Sequence, residues 1–293
     1  MAETNVTLKN EYLTVVINSM GAEIKSIKDS RDEERIHQSD MFWKGSAPVL
    51  FPICGKLYDG NLRINKRKYK LDPHGFARNS EFDIMEFTDD IAVFSLVSNE
   101  ETKNIYPYNF ELIITYKLLG KSIDVSYEII NDSKETMYFS IGAHEGYNCL
   151  SGLKNYVIEF ENEEKAVPYS DVDGNINLPE AGIKSFKLSD ELFTDSKSII
   201  FKNPTSKALW LKNIDESEKI RVEYEGFDYL VLWTKPNTQF VCIEPWCGMG
   251  EFNEFPDDIS NKEGIKSIEE GGQFEIHHII TIDWYVLYFG RNI

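Results

Sequence analysis

The stretch NFELIITYKLLGKSIDVSYEIIND, residues 109–132, decides the fold. Phe110, Leu112, Ile114 and Tyr116 recur at every second position. After Gly120–Lys121, Ile123, Val125, Tyr127 and Ile129 do the same, opposite Asp124, Ser126 and Glu128. A period of two places the apolar side chains of an extended segment on one face, and a short glycine turn folds the second run back on the first. The pattern predicts an antiparallel hairpin with one buried face.

Runs of the same kind recur along the chain: LTVVIN, AEIKSIKD, EFDIMEF, IAVFSLV, MYFSIG, YVIEFE, SIIFKN, ALWLKN, KIRVEYE, YLVLW, FVCIEPW and FEIHHIITIDW. Turns rich in Asn, Asp, Gly and Ser separate them. Helical periodicity is confined to one candidate, NKEGIKSIEE (261–270), which Gly264 interrupts. Many strands without alternating amphipathic helices predict an all-β fold, a large antiparallel β-sandwich. Strand lengths vary too much for a simple closed barrel. With no Gly/Ser/Pro linker, low-complexity segment or internal repeat, residues 1–293 read as a single domain.

Of 293 residues, 42% are hydrophobic, enough for an extensive core. The formal charge of −18 argues against nucleic acid and anionic membrane surfaces as partners, since both repel an acidic surface. The N-terminus MAETNVTLKN lacks the apolar core of a secretory signal, and no apolar run is long enough to cross a bilayer. Four scattered cysteines, Cys54, Cys149, Cys242 and Cys247, have neither zinc-knuckle nor redox-motif spacing. They read as reduced thiols, so a cytoplasmic location is expected.

Three ionisable residues stand where an apolar run meets a chain breaker. His74 lies in DPHGFAR (72–78), between Pro73, whose ring fixes φ, and Gly75, which permits a sharp bend. His144 follows the strand-like Met137–Ile141 and the small pair Gly142–Ala143, which leave room for something to approach it. Glu244 ends the run Phe240–Ile243 and precedes Pro245, expected to stop the strand; a carboxyl in that setting is expected to be partly buried, with a raised pKa. Each has a bland alternative, a backbone-bonded corner histidine or a rim carboxylate paired with lysine. If strand ends bring them together, two imidazoles and a carboxylate suit general acid–base chemistry or a two-histidine, one-glutamate metal site. No HExxH spacing supports the metal. His277 and His278 alternate along one strand, so their side chains point to opposite faces and cannot grip one ion. His37 follows the charged run DSRDEERI (29–36), which reads as a solvated loop.

Together these motifs resemble the aldose 1-epimerase (galactose mutarotase) superfamily, in particular its bacterial LacX-like branch. The matching residues are PVLFPICGKL (48–57), HGFAR (74–78), FSIGAH (139–144) and CIEPW with its following glycine (242–248), within a resemblance that begins near MGAEIKSI (20–27). The resemblance implies a β-sandwich with a sugar cleft on one sheet and cofactor-independent interconversion of the α and β anomers of an aldose. It makes Glu244 the base at the C1 hydroxyl, His144 the acid at the ring oxygen and His74 the group that positions the ring. Arg78, Lys56 and Trp246 become substrate-binding candidates. Two departures stand out: Glu145 replaces the proline common after the histidine, and is expected to raise the His144 pKa or alter selectivity; Lys56 replaces a frequent arginine and loses its bidentate fork. A phosphorylated hexose stays open through Arg78, Arg63 and Arg67. Rival readings are a non-catalytic carbohydrate-binding protein using Trp43, Trp233 and Trp246, a metal hydrolase using His74, His144 and Glu244, and a glycosidase pairing Glu244 with Glu145. Monomer and homodimer remain equally open.

Overall fold

The computed structural model describes residues 3–167, 182–196, 198–215, 217–251 and 256–284. The expected domain limits at 1 and 293 therefore lie outside the described residues.

The hairpin forms as the pattern requires. Strands Phe110–Leu119 and Ser122–Asn131 pair antiparallel from Phe110↔Asn131 to Leu119↔Ser122, and Gly120 takes the left-handed φ of 62° in the turn. Every residue of the apolar set, Phe110 to Leu118 and Ile123 to Ile129 by twos, is at most 5% exposed. Burying each such side chain stabilises the fold by roughly 1.5–3 kcal/mol before conformational entropy is subtracted.

This hairpin is part of a nine-stranded antiparallel sheet among the described residues. Its order is Ile183–Lys187, Tyr156–Glu164, Ala208–Asn213, Glu218–Glu223, Gln273–Trp284, Ser122–Asn131, Phe110–Leu119, Ile91–Val97, Asp83–Phe87. A second sheet runs Ile141–Gly142 with Glu145–Asn148, then Phe240–Cys247, Tyr229–Trp233, Ile199–Lys202 and Ala166–Val167. A three-stranded sheet, Asn5–Lys9, Leu13–Asn18 and Glu23–Asp29, adds to the same core. This is an all-β sandwich. No helix among the described residues is long and apolar enough to cross a membrane.

The two large sheets differ in exposure. The hairpin strands alternate buried with half-buried residues, whereas Phe240–Cys247 is buried at every position. Alternation means one face sees solvent; continuous burial means both faces are covered. The second cover on the smaller sheet is loop 36–57, which bridges it at Ile36↔Tyr147 and Leu50↔Gly142.

Three sequence expectations fail here. NKEGIKSIEE forms no α-helix; its first residue closes a 3-10 turn, Ile259–Asn261, and its middle forms a short strand, Lys266–Ile268. Pro245 does not stop its strand, which runs on to Cys247. It sits where the neighbouring strand is interrupted between Gly142 and Glu145. Ala143 N–H donates to the Pro245 carbonyl, but proline has no N–H to return, so the ladder is one bond short beside His144. Finally, DSRDEERI is solvated only over residues 30–33: Arg35 is buried and bonds Asp29, Glu33 and Glu218, while His37 is buried against Trp43 and Phe240.

Candidate active site

The outer, loop-covered face of the smaller sheet gathers the three candidates. Antiparallel register puts Gly142 opposite Trp246 and Gly146 opposite Cys242, so His144 and Glu244 share their face with Trp246 and Cys242. His144 Nε2 stands 3.2 Å from Glu244 Oε2, with both side chains at most 8% exposed. The contact is close but not aligned as a hydrogen bond, and both Glu244 Oε2 and His144 Nδ1 have no partner among the described residues.

His74 reaches the same place from its corner. Its backbone adopts φ 67°, its N–H donates to the Gly55 carbonyl at 2.8 Å, and its Nδ1 accepts the Gly55 N–H at 3.2 Å. An accepting Nδ1 leaves the proton of a neutral ring on Nε2. The ring lies 5.3 Å from that of His144 and 5.7 Å from the Trp246 indole. Gly75 holds the corner: a Cβ there would come within 2.2 Å of the Phe51 carbonyl oxygen, which also accepts the N–H groups of Phe76 and Ala77. The motif HGFA is thus clamped to the motif PVLFPICG through the Phe51 carbonyl and the two hydrogen bonds between His74 and Gly55.

Arg78 follows in a 3-10 turn, Ala77–Asn79. Its Nη2 donates to the Pro73 carbonyl at 2.9 Å and its buried Nε has no partner among the described residues. Burial lowers its pKa, with Asp72 and Glu23 pulling the other way. Gly21, from MGAEI, packs directly on the Arg78 backbone. Lys56 is exposed, and its backbone carbonyl takes the Glu251 N–H at 2.8 Å.

Burial dominates the site's electrostatics. It drives His144 well below the ordinary imidazole value, assisted by His74 and opposed by its own backbone. It lowers His74 to about 3, with Arg78 adding to the effect. It drives Glu244 well above the usual carboxylate range; Glu145 adds to this, while the Trp246 indole N–H pulls the other way without the geometry of a hydrogen bond. The raised Glu244 is what the apolar run before it predicts.

Glu145 behaves otherwise than expected. It pairs with Ile243 in the ladder and faces the interior between the sheets, where Oε1 meets His278 Nε2 at 3.1 Å. Both are buried, and the Tyr127 ring stacks on His278 at 5.8 Å. His144 is lowered, not raised. Glu145 and Glu244 point to opposite faces, so they cannot flank one glycosidic bond as a glycosidase requires. His277 faces the other way again, exposed and 2.9 Å from Asp124.

The metal set also differs from expectation. The donor atoms that approach within 4.8 Å of one another belong to His144, Cys242 and Glu244, not to His74, whose Nδ1 is engaged by Gly55. Cys242, two residues before Glu244 on the same strand, takes the place expected of His74. All four cysteines are free and buried. The site also has a roof: the Trp43 indole stacks on His144 at 5.2 Å and meets Trp233 edge-on at 5.8 Å, with Trp233 5.8 Å from His144.

The loop-covered face of this β-sandwich thus encloses an imidazole–carboxyl pair beside half-buried tryptophans. A model of the family described as aldose 1-epimerase matches residues 4–280, and the chain belongs to that family. It is 32% identical over 289 residues to "Protein LacX, plasmid" of Lactococcus lactis subsp. lactis, covering 90% of this chain and 94% of the relative. A galactose mutarotase related enzyme from Lactobacillus acidophilus superposes with TM-score 0.87 at 28% identity, covering 96% of this chain and 97% of that one. A galactose mutarotase-like protein from Lactobacillus casei also gives 0.87, at 25% identity and 96% and 100% coverage. Family membership makes the protein an enzyme of the sugar epimerase kind.

Proposed function

We propose that the protein interconverts the α and β anomers of an aldose without a cofactor, and that Glu244 and His144 carry the two proton transfers. The observation that carries this reading is the enclosed His144–Glu244 pair at 3.2 Å. Burial lowers the imidazole and raises the carboxyl, which favours a pair holding a single exchangeable proton. Ring opening consumes and regenerates that arrangement. Glu244 takes the proton of the C1 hydroxyl, the C1–O5 bond breaks, and His144 delivers a proton to O5, giving the open-chain aldehyde. Rotation about C1–C2 and the reverse transfers give the other anomer.

Burial alone favours the neutral form of both groups. A sugar hydroxyl donating to Glu244, and a ring oxygen accepting from His144, favour the charged form that reacts. His74, neutral with its proton on Nε2, donates to the ring oxygen region and fixes the ring. Arg78 and Lys56 bind substituent hydroxyls, and the Trp246 face packs against the ring. Positioned proton transfer contributes about 10² to 10⁴-fold, an appropriate scale for a reaction that also proceeds unaided in water. The unpartnered Nε of Arg78 favours a polar substituent on the substrate; comparing a hexose with its 6-phosphate decides which. Residues 1–293 act as one sugar-binding unit in this reading, and the four reduced thiols suit the cytoplasm. Polarimetry on freshly dissolved α-D-glucose and α-D-galactose tests the proposal. Acceleration by the wild type that Glu244→Gln lacks supports it; sugar binding without turnover replaces it with a carbohydrate-binding protein.

A further inference from the structure

Cys242 is two residues before Glu244 on the same face of the same strand, fully buried, and opposite Gly146. Gly146 offers no side chain to cover it, and the Trp43 ring fills that space instead. The thiol takes no part in the proton transfers above, yet its sulfur, a His144 nitrogen and a Glu244 oxygen all lie within 4.8 Å of one another. His144 Nδ1 and Glu244 Oε2 are also buried without a hydrogen-bond partner among the described residues. We propose that Cys242, His144 and Glu244 form an inhibitory site for a thiophilic divalent cation of the zinc and cadmium class.

The donor set selects the ion. One thiolate, one imidazole and one carboxylate form a soft-to-borderline donor set of the kind tetrahedral zinc takes, and it disfavours magnesium or calcium, which take oxygen ligands. Bonds of about 2.0–2.3 Å place tetrahedral donors roughly 3.5 Å apart, so donors within 4.8 Å of one another need to close by up to about 1.3 Å. Binding replaces the S–H bond of Cys242 with a metal–sulfur bond and releases the proton to solvent, with no change of oxidation state. The ion then holds the lone pairs of His144 and Glu244 that ring opening uses. Binding and turnover become mutually exclusive. The inhibitory part of this inference rests on the acid–base reading; the binding part does not.

The test titrates the intact, chelator-washed protein with Cd²⁺ while recording the ultraviolet charge-transfer band of a cadmium thiolate. Mutarotation is followed in parallel. The expected result is one Cd²⁺ per chain, a band present in Cys54→Ser and absent in both Cys242→Ser and Cys242→Ala, and inhibition reversed by chelator. The Cys242 variants should keep near-normal turnover and need more than about 100-fold more Cd²⁺ for equal inhibition. A band that survives in both Cys242 variants, or no band in the wild type, overturns the site. A Cys242-dependent band in a protein that turns over no sugar upholds the site and removes the acid–base reading. Metal-stimulated turnover dependent on Cys242 overturns its inhibitory character.

Discussion

His144 Nε2 lies 3.2 Å from Glu244 Oε2 in a site where burial lowers the imidazole and raises the carboxyl. The sign of the pH dependence follows. The pair loses its single-proton state on the acid side when His144 also protonates, well below its ordinary value of about 6.5. It loses that state on the alkaline side only when Glu244 ionises, well above the ordinary carboxylate value of about 4.3. The kcat/KM profile for mutarotation should therefore place its acid limb well below the solvated-imidazole pKa and its alkaline limb well above the ordinary carboxylate range. Activity lost on acidification with a midpoint of about 6.5 contradicts the assignment.

His74 combines a left-handed backbone with a ring whose Nδ1 accepts from Gly55. Asparagine tolerates that backbone, so His74→Asn should fold with an unchanged thermal midpoint. Loss of a preorganised donor should lower kcat by about 10² to 10³-fold. Because His74 helps to hold His144 down, the acid limb should also move to higher pH. A variant with unchanged kcat and profile shows that the ring only props the loop.

Glu145 and His278 join the two sheets through a buried contact of 3.1 Å. Removing one partner of such a pair leaves the other buried and unsatisfied, at about 1–3 kcal/mol. Urea unfolding of His278→Leu should show that loss at unchanged m-value. Glu145→Gln, which keeps the shape, should retain turnover within a few-fold, since its side chain faces away from the cleft. A loss as large as that of Glu244→Gln restores Glu145 as a reacting group.

Arg35 is a second buried charge, bound to Asp29, Glu33 and Glu218. Burial pushes the Asp29 carboxyl up, but the Arg35 hydrogen bond and the Arg31 and Glu33 N–H groups outweigh it and leave the pKa depressed. A depressed folded-state pKa contributes stability above the unfolded value and loses it as pH falls through the folded one. Acid should destabilise the wild type through this group, and Arg35→Ala should cost about 3–5 kcal/mol at neutral pH. A loss below about 1 kcal/mol in denaturant unfolding places the network among ordinary surface pairs.

The sandwich was legible because its strands bury one face, which writes a period of two into residues 110–129. His144 and Glu244 were legible as candidates because each ends an apolar run, His74 because Pro73 and Gly75 flank it, and their motifs together resemble one family. Glu145 was misread through its adjacency to His144. The alternation that separates His277 from His278 separates these two as well, and applied there it sends Glu145 inward. The same parity, Cys242, Glu244, Trp246, was the available signal for Cys242. Trp43 left no such trace, because it arrives from a loop whose course depends on Ile36 and Leu50 bridging to the sheet. Arg35 was hidden because composition records charge and not whether three carboxylates meet it.

The most direct measurement is the polarimetric decay of freshly dissolved α-D-galactose and α-D-glucose with wild type, Glu244→Gln and His144→Asn at equal folded concentration. The acid–base account predicts accelerated decay by the wild type and a loss of about 10² to 10⁴-fold in each variant, with circular dichroism unchanged. Acceleration that survives in either variant contradicts the assignment of the two proton transfers to His144 and Glu244.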